Sequence, residues 1–170
     1  KPWLVFGSFW SGMKLVQLDK TLTKIGEPQK WFTVSKRPRD YKTKDEDPGN
    51  AAVEAPFIFK RDDYYYLFLS FDYCCRGKES TYKIVVGRSK EIQGPYKDRN
   101  DILLNEGGGT LVLEGNERWA GVGHNSTYTF DGVDYLIFHG YDSEDEGKPK
   151  LRIERLTWSD GWPEVASPGQ

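Results

Sequence analysis

Three times along this chain an aromatic-rich apolar run is followed by a loop and then by a second run that alternates in polarity. Trp3-Leu4-Val5-Phe6-Gly7-Ser8-Phe9 leads to Lys14-Leu15-Val16-Gln17-Leu18, and Tyr66-Leu67-Phe68-Leu69-Ser70-Phe71 leads to Tyr82-Lys83-Ile84-Val85-Val86-Gly87-Arg88. Tyr135-Leu136-Ile137-Phe138-His139-Gly140-Tyr141 leads in turn to Leu151-Arg152-Ile153-Glu154-Arg155-Leu156. Counted from Trp3 to Tyr66 to Tyr135, the leading runs start 63 and then 69 residues apart. Runs of this length and alternation are strands, and no long helical periodicity interrupts them.

Phe57-Ile58-Phe59 and Ser126-Thr127-Tyr128-Thr129-Phe130 are further short strands, with turns at Asp62-Asp63 and Asp131-Gly132. The repeating unit is therefore a small antiparallel sheet of about four strands. One such sheet cannot bury both of its faces alone, so successive units must stack. The predicted fold class is all-β, with antiparallel blades of a propeller; a period of about 66 residues fits the 170-residue chain about 2.6 times. A closed propeller takes at least about four blades, so the chain by itself is not expected to close. Tandem sandwich-like modules are the alternative. Either way, residues 1–170 are expected to form one domain.

The 24 basic and 26 acidic residues leave a formal charge of -2, which argues against nucleic acid as a partner. The basic stretches Arg37-Pro38-Arg39 and Lys42-Thr43-Lys44 are interrupted by Asp40, Asp45, Glu46 and Asp47 and suit a solvated loop. That loop, Ser35 to Asn50, could cover a binding face. No apolar run approaches membrane-spanning length, so no membrane partner is expected. Lys1-Pro2-Trp3-Leu4-Val5-Phe6 lacks the apolar stretch of a signal peptide and reads like the middle of a strand. Location stays open, secretion of a longer parent included.

Two features bear on chemistry. Glu54, in Val53-Glu54-Ala55-Pro56-Phe57-Ile58, places a carboxylate immediately before a predicted apolar strand. Aromatic residues make up 15% of the chain; most suit an all-β core, but Trp and Tyr also stack on sugar rings while their polar edges hydrogen-bond. The cysteines Cys74 and Cys75 are adjacent, closer than ordinary disulfide geometry prefers, and are expected to be reduced, partly buried thiols. There is no Cys/His spacing for zinc. The acidic loop from Asp142 to Lys150 lacks the EF-hand pattern and is expected to be solvated rather than to bind calcium.

Several motifs in order carry a more specific likeness. Trp3 to Gly12, Val53-Glu54-Ala55-Pro56, Phe71-Asp72-Tyr73-Cys74-Cys75-Arg76-Gly77 and Gly123-His124-Asn125-Ser126 resemble glycoside hydrolase family 43, above all its endo-acting arabinanases. Ser80-Thr81-Tyr82-Lys83, Gly94-Pro95-Tyr96 and Asp160-Gly161-Trp162-Pro163 extend the likeness over nearly the whole chain. The resemblance implies a five-bladed propeller that cleaves α-1,5-linked arabinan with inversion, and it makes Glu54 the general acid. It also implies a central metal ion, expected to be calcium, associated with His124 largely through water. Phe9, Trp10, Ser11 and Gly12 would form part of a sugar platform, Asn125 and Ser126 would bind hydroxyl groups or brace the His124 loop, and Cys74 and Cys75 would help shape the cleft. Asp72 would support loop geometry, while His139 is expected to be structural or to line the pocket.

In the family so resembled, the general-base aspartate and the aspartate that tunes the acid belong to segments before the one matching Trp3 to Phe9. Neither has a counterpart here, since Asp19 and the acidic loop near Asp142 lack both motifs. The isolated chain is thus expected to be an incomplete hydrolase that binds arabinan or arabino-oligosaccharide and associates with itself or with a complementary propeller fragment. An inactive carbohydrate-binding or purely structural propeller fragment is the alternative.

Overall fold

The computed structural model describes residues 1–7, 9–40, 44, 47 and 49–165. Ser8 of the first motif, Lys42, Thr43, Asp45 and Glu46 of the charged loop, and the loop's Pro48 lie outside the described residues. Among the described residues, eleven strands form three antiparallel sheets, each a meander in chain order. The first sheet contains β1 (Trp3–Phe6), β2 (Met13–Gln17) and β3 (Trp31–Ser35). The middle sheet contains β4 (Val53–Arg61), β5 (Tyr64–Phe71), β6 (Lys83–Ser89) and β7 (Thr110–Leu113). The last contains β8 (Trp119–Phe130), β9 (Val133–Asp142), β10 (Lys148–Ser159) and β11 (Trp162–Val165). Among the described residues no helix is long and apolar enough to cross a membrane.

The unbroken apolar run in β5 follows from its position between two layers. Leu67, Leu69 and Phe71 pack with Met13, Leu15 and Val34 of the first sheet, while Tyr66 and Phe68 pack with Val122, Leu136 and Phe138 of the last. A strand covered on both faces has no polar side to present, so the usual alternation disappears. Its neighbour β6 divides the same way, with Val85 in the first cluster and Ile84 and Val86 in the second. The two terminal sheets instead show apolar side chains on their outer faces. Leu4 and Trp31 are exposed on the first; Tyr128, Leu151 and Ile153 are exposed on the last.

All three predicted strand pairs are present, and the expected turns at Asp62-Asp63 and Asp131-Gly132 join β4 to β5 and β8 to β9. Glu54 differs from expectation. It is the second residue of β4 rather than a residue before the strand, and the pairing of β4 with β5 slips between Glu54 and Phe57. Ala55 has φ 52°, the left-handed conformation that lets a bulge absorb an extra residue. The acidic loop is also tighter than expected. Asp142 is buried and caps a short turn by accepting from the Glu144 N–H at 3.0 Å, and Asp145 pairs with Lys148 and Lys150.

Candidate active site

The pairing register sets out the site. Glu54 lies opposite Ser70, and Ser70 lies opposite Ile84, so the three share one face of the middle sheet. Tyr82, two residues before Ile84, extends that face beyond the start of β6. Its hydroxyl donates to Glu54 Oε1 at 2.6 Å. The ring is 1% exposed and lies against the last sheet. Burial is the main cause holding the phenol pKa well above its usual value, and the Glu54 hydrogen bond adds to it.

Gly123 of β8 makes this fit possible. A Cβ there would come 2.2 Å from Tyr82 Cδ1, so any side chain would displace the ring. The next residue, His124, is exposed with φ 55° and sits where β8 slips against β9. Its N–H donates to Ser70 Oγ at 2.8 Å, which links the last sheet to the strand beside Glu54. His139, on β9, lies 5.9 Å from the Tyr82 ring, 6.4 Å from the His124 ring and 5.2 Å from the Tyr141 ring, between centroids. Its Nε2 is buried without a hydrogen-bond partner. Burial, and then the neighbouring His124, lower its pKa, with Glu54 acting in the opposite direction.

Tyr141 continues the chain of contacts to the cysteine loop. Its hydroxyl accepts from the Cys75 N–H at 2.8 Å and lies 3.7 Å from Cys75 Sγ. Cys74 and Cys75 are not the thiols expected from their adjacency, for they are disulfide-bonded to each other. The pair spans a Cα separation of only 3.8 Å, and the loop accommodates it by placing Cys75 at φ 66°. Just before it, Asp72 is a tie point. Arg37 Nη1 donates to Asp72 Oδ1 and to the Ala52 carbonyl, each at 2.7 Å, and Lys83 Nζ meets Asp72 Oδ2 at 2.8 Å. Burial pushes the Asp72 pKa up, but the hydrogen bonds and charges of Lys83 and Arg37 outweigh it and hold the carboxyl below its usual range.

The aromatic turn approaches from the first sheet. The Phe9 N–H donates to the carbonyl of Val53, next to Glu54, at 2.6 Å. Phe9 and Trp10 meet edge to face at 6.4 Å, Trp10 and Ser11 are exposed, and the Arg39 guanidinium lies 5.1 Å from the Trp10 ring centroid. Gly12 is buried beneath them. Asn125 and Ser126 part company: Asn125 is 4% exposed and its Nδ2 reaches only Thr127 Oγ1 at 3.5 Å, whereas Ser126 lines an open depression of about 310 Å3 with His124, His139 and Leu151.

The calcium expectation at His124 is overturned. Among the described residues no group of three or more His, Cys, Asp or Glu side chains converges to hold a metal ion. Calcium prefers six to eight oxygen ligands, and His124 and His139 offer imidazole nitrogen instead. Glu54, the carboxylate that His139 senses, has Oε1 committed to Tyr82. Tyr82 itself was not among the residues expected at the site. Its signal was present in Ser80-Thr81-Tyr82-Lys83, but it required the register that sets Ile84 opposite Ser70.

Three layered antiparallel sheets, with Glu54 on a strand bonded through the Val53 carbonyl to the Phe9–Trp10 turn, define an all-β protein. Within that class, residues 1–163 match glycosyl hydrolases family 43, and the chain belongs to that family. An extracellular exo-α-(1→5)-L-arabinofuranosidase, ArbA of Cellvibrio japonicus (strain Ueda107), is 50% identical over 164 residues, covering 96% of this chain and 47% of that protein. Extracellular endo-α-(1→5)-L-arabinanase 1 of Bacillus subtilis (strain 168) is 44% identical over 162 residues, covering 95% of this chain and 46% of that one. The structure of Cellvibrio cellulosa α-L-arabinanase complexed with arabinohexaose superposes with a TM-score of 0.91 at 50% identity, over 96% of this chain and 52% of that one. The chain thus spans about half the length of the relatives it matches.

Proposed function

We propose that this chain carries the proton donor of an α-1,5-L-arabinan hydrolase, and that Glu54 is that donor. The observation behind this reading is the placement of Glu54 on a bulge, held by Tyr82 and adjoining the Phe9–Trp10 turn, in a family 43 chain. Inverting hydrolysis needs one carboxylic acid to protonate the leaving oxygen and a second carboxylate to activate water on the opposite face of the sugar. We assign the first role to Glu54 and place the opposing base outside these residues, so the activity belongs to the whole protein. The three sheets are proposed to be blades of a five-bladed propeller. In that arrangement the outer apolar faces at Leu4 and Trp31, and at Tyr128, Leu151 and Ile153, pack against further blades or another copy.

Trp10 and Phe9 are proposed to line the sugar path, with Ser126 and the Cys74–Cys75 loop bordering it. Arabinan or arabino-oligosaccharide is the proposed ligand, supported by the relative solved with arabinohexaose. An extracellular location for the parent is supported by two relatives described as extracellular and by a disulfide, which persists in oxidising compartments. The test is release of reducing ends from linear α-1,5-arabinan by the whole protein and by its E54Q variant. Loss of a positioned general acid is expected to lower turnover about 10²- to 10⁴-fold. Turnover within twofold of the parent, with the fold intact, would reject Glu54 as the donor.

A further inference from the structure

The geometry points to Tyr82 as a positioning residue that directs the proton of Glu54 to Oε2, with Gly123 reserving the space Tyr82 needs. The inference rests on Glu54 being the proton donor. A carboxylic acid has one oxygen that bears hydrogen and one that accepts. The Tyr82 hydroxyl donates to Oε1, 2.6 Å away, and so marks Oε1 as the accepting oxygen. Burial and the neighbouring Glu54 keep the phenol protonated, so it acts as donor. The ring has little freedom to turn away: Tyr82 is 1% exposed, and it packs so closely on Gly123 that a Cβ there would lie 2.2 Å from its Cδ1.

The consequence for the reaction is specific. The Oε2–H bond breaks as the proton passes to the glycosidic oxygen, and the electrons of the breaking C–O bond go to that same oxygen. Water, relieved of its own proton by the opposing base, forms the new bond at the anomeric carbon. Glu54 is left as a carboxylate, and the Tyr82 hydrogen bond becomes charge-assisted and stronger. An interaction that strengthens as charge develops on Glu54 lowers the barrier rather than the ground state. The other titratable groups around this pair are His124, His139 and Tyr141. None is altered in the variants that follow.

Y82F and G123A are the variants, because one removes the donor and the other displaces it. The first readout is independent of activity: the carbon-detected NMR resonance of the Glu54 side-chain carboxyl in the folded chain at one fixed pH. Loss of the donor to Oε1 should displace that resonance in Y82F. An unchanged resonance in Y82F would overturn the assignment. The second readout compares two substrates of the whole protein. On linear arabinan, whose leaving group needs protonation, kcat should fall about 10- to 100-fold, the worth of a hydrogen bond to a charged group, with KM little changed. On a nitrophenyl arabinofuranoside, whose leaving group departs without that help, the loss should be small. Equal losses on both substrates in folded Y82F would also overturn the role. G123A should reproduce the substrate split; a folded G123A that loses both activities equally counts against the reserved space. If E54Q instead retains full activity, the donor reading fails, while the carboxyl resonance still reports whether Tyr82 holds Glu54.

Discussion

The Phe9 N–H donates to the Val53 carbonyl at 2.6 Å, so the exposed aromatic turn of the first sheet is fastened to the strand that carries Glu54. Gly12 sets how closely that turn can sit. It has φ +82°, and a Cβ there would lie 2.1 Å from the Ser35 carbonyl oxygen, a backbone atom that cannot move aside like a side-chain tip. G12A is expected to lose about 1–3 kcal/mol of stability through left-handed strain and overpacking. Urea unfolding monitored by far-UV circular dichroism checks this. On the proposed function, the same change should raise the whole protein's KM for arabinan more than it lowers kcat, because it displaces Trp10 rather than Glu54.

The strand cores were the most legible part of the sequence, because burial imposes a pattern over several residues. Tyr66 to Leu69 reads as apolar throughout since both faces are covered. Edge strands carry less information: β3 and β7 are four or five residues long with mixed burial, and neither was expected. Glu54 was legible as a candidate, but its bulge and its grip by Tyr82 depend on cross-strand register, which residue periodicity does not report. The Cys74–Cys75 bond was missed because ordinary disulfide geometry disfavours neighbours, whereas the loop absorbs the constraint through Cys75 at φ 66°.

That bond leads to a direct chemical check. The folded, oxidised chain should show no free thiol toward a thiol-reactive dye, and two after reduction and denaturation; two free thiols before reduction would refute the pair. A bridge between residues one apart closes almost no loop in the unfolded chain. The entropic stabilisation that grows with loop length is therefore nearly absent. Reduction should leave global stability within about 1 kcal/mol by that argument, and should instead speed hydrogen exchange of the Cys75 N–H that is held by Tyr141.

Asp134 should matter far more to stability than the disulfide. It is 5% exposed and accepts from Arg61 of β4, from Thr129 Oγ1 at 2.6 Å and from Trp158 Nε1 at 2.8 Å, joining the middle sheet to the last. Arg61 also stacks over the Trp158 ring at 4.6 Å. R61A is expected to cost about 1–3 kcal/mol, because it strips a charge-assisted bond from a buried carboxylate. R61K should recover only part of this, since an ammonium cannot reproduce the planar stack. A double-mutant cycle of R61A with D134A, measured by urea unfolding, should show clear coupling; additivity would mean the pair contributes nothing jointly.

His139 gives the chain a pH dependence whose direction follows from its surroundings. Burial, and then His124, lower its folded pKa, and its buried Nε2 has no partner ready for another proton. An unfolded histidine titrates near about pH 6.5, so between the folded and unfolded values the unfolded chain binds more protons. Stability must then rise with pH across that window. The contribution is fully present above about pH 6.5 and is lost as pH falls toward the lowered folded value. Asp72 acts in the same direction but lower, because its depressed pKa places its loss below the usual carboxylate range. Urea midpoints measured from pH 8 to pH 5 should therefore decline for the parent chain. In H139N the decline should be shallower over the same interval, and an identical slope would mean that His139 binds protons equally in the folded and unfolded chain.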